Sequence, residues 1–152
     1  HVEIGNHGAS LGHETQNAKE NATMSFPITT LYALPLIVIF VVLFFRVSGK
    51  RTELKASIGH ANDANLHERI RHHGNFVEWV PFVLILLALA EANGGNSIAL
   101  HCAGGFLVVG RILHPFGLKA DNPTHILRIM GNSLNLLATV ILLVVLAMAR
   151  FF

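Results

Sequence analysis

Arg71, Asn75 and Glu78 stand at positions i, i+4 and i+7 of the chain, a spacing that places all three on one stripe of a helix. Glu68 extends the stripe backwards, and Phe82 and Ile85 carry it forward as apolar residues. An arginine can grip a carboxylate through two parallel hydrogen bonds, a carboxylate can hold an ammonium, and an amide can donate or accept. The stripe therefore has the makings of a polar binding surface. Two further clusters accompany it. Arg111 and His114 lie at i and i+3, and Arg128 is followed by Asn132 and Asn135. Taken one at a time, each cluster also fits a structural role: a snorkelling arginine with an Arg–Glu pair, or a hydrogen bond between helices.

The elements that carry these residues are unusually apolar. The chain has 152 residues, of which 52% are hydrophobic and 13% charged, against about 25% charged in ordinary globular chains. The mean hydropathy is +0.52. These values exclude a disordered chain, a coiled coil and a basic nucleic-acid-binding domain. The single cysteine, Cys102, excludes an internal disulfide framework and a cysteine-based zinc site. It reads as a small packing residue inside a helix. His67, His72 and His73 could suggest a metal, but His67 and His73 do not share a helical face well, and histidines of a loop are ordinarily just solvated.

Four apolar runs follow Met24: 28–45, 76–90, 98–113 and 129–149. A membrane span needs ~20 mostly apolar residues to cross a hydrocarbon core of about 30 Å. The first and last runs qualify outright. The second and third qualify if Glu78, His101 and Arg111 lie within or at the edge of the membrane. None of the four shows the wide polar face that a surface helix of a soluble bundle requires. The reading is an all-α integral membrane protein, a four-helix bundle with four transmembrane helices per subunit. Residues 46–67 form a long polar loop, Asn93-Gly94-Gly95-Asn96 a tight turn, and residues 115–127, punctuated by Pro115, Gly117 and Pro123, the third connection. Residues 1–23 are polar and lack an apolar period. They are expected to be a disordered extension or a non-native addition ahead of a membrane domain spanning 24–152, and they have neither the basic nor the apolar region of a signal peptide.

Apart from Lys19 and Arg150, every Lys and Arg sits in or beside the first and third connections. By the positive-inside rule these loops face the cytoplasm and both termini face away. That topology puts the three polar clusters at one depth on one side. An ionisable residue in a membrane helix costs about 2.5–3.5 kcal/mol on insertion scales, so one shared polar site between helices explains three clusters better than three separate accidents. One chain offers few partners for Arg71, Glu78 and Arg128 at once, so a neighbouring subunit or a ligand is expected to complete them.

The segment from Arg71 through Asn75 and Glu78-Trp79-Val80-Pro81, with four spans in about 130 residues, resembles the MAPEG superfamily, the membrane-associated proteins in eicosanoid and glutathione metabolism. Gly110-Arg111-Ile112-Leu113-His114-Pro115-Phe116-Gly117 resembles its bacterial branch. The resemblance covers 24–152. It implies a homotrimer in the lipid bilayer of a bacterial inner membrane, with glutathione held between subunits on the cytoplasmic side. Arg71, Asn75 and Glu78 would then be glutathione ligands, with Arg46, Lys50, Arg111 and His114 as further contacts. Arg128 resembles the arginine that acts on the thiol, since nearby cationic charge favours the reactive thiolate. Eukaryotic members carry a tyrosine in the third-helix region that contacts glutathione. Here that segment has Phe116, and the one tyrosine, Tyr32, lies in the first run.

Two functions follow from the resemblance: a glutathione-dependent transferase or peroxidase acting on small lipophilic electrophiles, and a non-catalytic membrane protein that binds glutathione or a lipophilic ligand. A transporter or channel is disfavoured, because the sequence has no inverted repeats, no glycine-rich breaks at mid-depth and no polar stripe through the whole bilayer.

Overall fold

A computed structural model describes residues 25–119, 122 and 124–151. The expectation for residues 1–23 lies outside these. Four helices make up the fold: α1 Pro27–Glu53, α2 Ala64–Ala92, α3 Ser97–Gly117 and α4 Ile126–Phe151. All four are long and apolar enough to cross a membrane, and there is no strand among the described residues. The sequence-based expectation of an all-helical, four-span protein holds.

The helices outrun the apolar stretches that announced them. α1 continues from Phe45 to Glu53, and α2 begins at Ala64, so the first connection is 54–63 rather than 46–67. No proline interrupts 46–53, and Lys50 Nζ donates to Glu53 Oε1 at 2.6 Å, one turn along, the kind of pair that supports a solvated helix end. α1 stops where Lys55 adopts a left-handed conformation. α2 starts on a side-chain cap: Leu66 N donates to Asp63 Oδ1 at 2.6 Å, which satisfies one of the unpaired N–H groups of the first turn. α3 likewise starts on Asn96, whose Oδ1 accepts from Ile98 N and Ala99 N. The turn before it needs Gly94, at φ 71°, where a side chain would be strained. Pro115 does not open the third connection as expected; it lies inside the last turn of α3, which ends at Gly117.

α1 has no side-chain cap of its own. The far end of α2 supplies one. Ile28 N and Thr29 N donate to the two carboxylate oxygens of Glu91, each at 2.8 Å, and Thr29 Oγ1 donates to Glu91 Oε2 at 2.7 Å. A carboxylate at a helix N-terminus also meets the positive end of the helix dipole. Tyr32 adds a link from α1 to α3, its hydroxyl lying 3.0 Å from His101 Nδ1. Glu91→Ala should therefore destabilise the bundle by about 2 kcal/mol, the scale of lost hydrogen bonds to a charged group. Thermal unfolding in mild detergent checks this, and an unchanged melting temperature would show that the cap contributes nothing.

The core runs along the middle of the bundle, with Leu36 of α1, Val83 and Leu87 of α2, Leu107 of α3 and Leu142 of α4 all sealed. α3 and α4 make the most extensive contact, and glycines allow it. A Cβ at Gly110 would lie 2.8 Å from Gly131 O and from Asn135 Oδ1, and one at Gly131 would lie 2.9 Å from Gly110 O. At Gly117 a Cβ would overlap the backbone of Arg128. Small residues bring membrane helices together because lipid supplies no hydrophobic drive between them. Ala103 and Gly104 of α3 are buried, and Gly104 faces the ring of Tyr32.

Candidate functional site

The end of the bundle that carries the connections 54–63 and 118–125 gathers the three polar clusters. Arg71 and Asn75 lie in the early turns of α2, Arg111 and His114 in the last turns of α3, and Arg128 in the first turn of α4. Arg111 Nη1 donates to Asn75 Oδ1 at 2.8 Å and approaches Asn75 O at 3.3 Å, joining the first two clusters. The close backbone approach of Gly117 to Arg128 joins the second to the third.

Arg71 and Glu78 project from the outer face of α2, with side chains 52% and 55% exposed, and Arg71 Nη1 lies 3.7 Å from Glu78 Oε1. Within one chain Arg71 and Glu78 therefore have each other, the structural pairing that the sequence also allows for this cluster. Two turns of helix separate their backbones by about 10.5 Å, and two long side chains leaning toward each other close that gap. Half of each side chain has no cover within the chain.

The remaining residues divide between interior and surface. Arg111 is 2% and His114 3% exposed; His114 packs its Cβ against the Gly131 backbone. Nε and Nη2 of Arg111 and both amide atoms of Asn135 are buried without a hydrogen-bond partner among the described residues. Arg128 is half-buried. Arg46 is exposed, and its carbonyl accepts from Arg69 Nη1 at 3.0 Å. Lys50 is held at the connection by Glu53 and, at 4.0 Å, by Asp63, so its charge is already answered within the chain.

A cleft of about 210 Å³ opens beside Arg71, lined by Ala64, His67, Glu68, Arg71, Leu118 and Lys119. Sequence reasoning used Lys119 only as a topological charge. The signal that could have brought it into the site is its position just past α3, at the same end as Arg71. His72 was likewise set aside as a loop histidine. It is buried inside α2, with Nε2 2.8 Å from Leu118 O. A carbonyl only accepts, so Nε2 carries the proton, and the bond ties the wall of the cleft to α2. Among the described residues no group of three His, Cys, Asp or Glu is placed to hold a metal ion.

Tyr32 and Glu91 mark the opposite end of the bundle, about 30 Å along α2 from Arg71. The single phenol of the chain therefore lies far from the polar clusters. Phe116, in the segment where a tyrosine was looked for, is 65% exposed.

No solved structure matches the chain. Two curated relatives do. Each is named inner membrane protein YecN, one from Escherichia coli strain K12 and one from Escherichia coli O6:H1. Both are 30% identical to the chain over 90 residues, covering 59% of the chain and 69% of the relative. Residues 28–148, which take in nearly all of the four helices and every clustered residue above, match the model of the MAPEG family. The chain belongs to the MAPEG family.

Proposed function

We propose that the protein is a glutathione-dependent transferase or peroxidase of the inner membrane, acting on small lipophilic electrophiles. The observation that carries the reading is the Arg71–Asn75–Glu78 stripe. In a chain of this family, it leaves a cation and a carboxylate half-exposed on the outer face of α2, beside a cleft. Glutathione has two carboxylates, an ammonium and a thiol. Arg71 suits a carboxylate through a forked pair of hydrogen bonds, Glu78 suits the ammonium, and Asn75 suits the peptide.

The half-exposed charges also favour assembly. A second copy laid against α2 would shield Arg71 and Glu78 from lipid and enclose the ligand between subunits, and the reading is a homotrimer. The basic residues around 54–63 and 118–125 favour a cytoplasmic position for that end and the opposite side for both termini. The relatives named as inner membrane proteins support the location.

Arg128 is the residue proposed to act on the thiol. It opens α4 at the same end as the stripe, and a guanidinium near a thiol favours the thiolate, the form that attacks electrophiles. A lipid-dissolved electrophile could reach it laterally from the bilayer. Arg128→Ala is expected to leave glutathione affinity within a fewfold of the parent while the ultraviolet thiolate band of the bound ligand is lost. A full thiolate signal in this variant would remove Arg128 from the chemistry. One observation favours a second reading, a binding protein without catalysis: Phe116 supplies no phenol in the third-helix segment. On that reading the parent itself binds glutathione without forming the thiolate.

A further inference from the structure

The hydrogen bond between Arg111 and Asn75 fixes which way the Asn75 amide faces. A guanidinium has five N–H donors and no acceptor. The two ends of an amide are assigned from their partners, and here only the oxygen can face the donor 2.8 Å away. Oδ1 is therefore turned inward, toward α3. Nδ2 has no partner among the described residues, yet it is not among the buried atoms that lack one, so it reaches the surface of the chain. Asn75 sits between Arg71 and Glu78 on their stripe, and the three present, in order, a charged donor, a neutral donor and a charged acceptor.

Arg111 itself is unsuited to direct ligand contact, being 2% exposed. It is also a cation without a counter-charge: no carboxylate lies within ion-pair distance of it among the described residues. A carboxylate in place of the Asn75 amide would relieve that cost, because a buried charge is stabilised by an opposite partner. Asparagine at this point thus gives up an available ion pair and keeps an outward N–H.

We propose that Arg111 is a positioning residue that holds the Asn75 amide with its N–H outward, so that the bound ligand must offer an acceptor oxygen there. This rests on the reading of the stripe as a glutathione site and deepens it. A ligand that fits carries a carboxylate at Arg71, an oxygen acceptor at Asn75 and an ammonium at Glu78. A ligand that offers only an N–H donor at the central point is disfavoured, because the group facing it is itself a donor.

Asn75→Asp separates positioning from mere packing, since the two predict different behaviour. The variant keeps the shape, gives Arg111 a counter-charge and replaces the outward donor with an acceptor. The melting temperature in detergent should equal or exceed that of the parent, while glutathione affinity falls roughly ten- to a hundredfold. Arg111→Met, which frees the amide without touching the stripe, should lower affinity roughly five- to tenfold. Parent-like affinity in either variant overturns the proposal, and so does a lower melting temperature for Asn75→Asp, which would mean that Arg111 does not face the amide oxygen. If the parent fails to bind glutathione, the functional reading falls and takes the ligand half of the proposal with it. The melting temperature of Asn75→Asp then still decides the Arg111–Asn75 geometry on its own.

Discussion

Arg71→Ala is expected to weaken glutathione binding roughly ten- to a hundredfold, the loss that follows when a charge-assisted hydrogen bond worth about 1.5–3 kcal/mol disappears. The arginine lies between Glu78 and the cleft, so its removal takes away both the partner for a ligand carboxylate and one wall of the space that would hold it. It also leaves Glu78 without its 3.7 Å neighbour. Stability should change little, because an ion pair half open to its surroundings contributes about 0–1 kcal/mol. That split distinguishes a ligand contact from a structural pair. If Arg71 only balances Glu78, affinity stays at the parental value, and Arg71→Ala and Glu78→Gln produce the same small shift in melting temperature. Isothermal titration with glutathione, beside a thermal melt of the same preparation, reads both quantities.

Gly117→Ala is expected to have the largest effect on the fold. The added methyl would overlap the backbone of Leu127 and Arg128. Backbone atoms cannot swing aside as a side-chain tip can. Overpacking a well-filled interior costs about 1–3 kcal/mol and occasionally more, and a clash with main chain rather than with a side-chain tip belongs at the upper end. α3 and the start of α4 would have to part, moving Arg128 relative to Asn75 and Arg111. Gly49→Ala is the matching control. Its Cβ meets nothing within 4 Å, and alanine in an exposed helix interior is favoured over glycine by about 0.8–1 kcal/mol, so that variant should melt at or above the parental temperature. Equal melting temperatures for the two variants would show that the α3–α4 approach is looser than the glycine contacts require.

The sequence made some features legible and hid others for physical reasons. Four spans could be read because a membrane helix must show an uninterrupted apolar run, and the runs 28–45 and 129–149 do. Helix ends could not be read from the same signal, since hydropathy reports where lipid stops and not where hydrogen bonding stops; α1 continues through Arg46, Lys50 and Arg51 into the polar region. The stripe of Arg71, Asn75 and Glu78 was visible because all three share one helix with fixed periodicity. The partners that cross between helices were not. Nothing local in Glu91 announces that it caps α1, more than 60 residues away in the chain. Arg111 and His114 were expected as ligand contacts, and that the packing of α3 against α4 through Gly110 and Gly131 buries them within one chain was not legible locally. The family resemblance rested on the second-helix motif together with four spans in about 130 residues, and the family model matches residues 28–148.

Glutathione binding by the detergent-solubilised parent protein, followed at equilibrium together with the ultraviolet absorbance of the bound thiol, tests the central claim most directly. The account predicts saturable binding accompanied by a thiolate band that Arg128→Ala removes. Saturable binding without the band would leave a binding protein in place of an enzyme. No saturable binding would contradict the account and leave Arg71, Asn75 and Glu78 as a structural stripe at the end of a membrane helix.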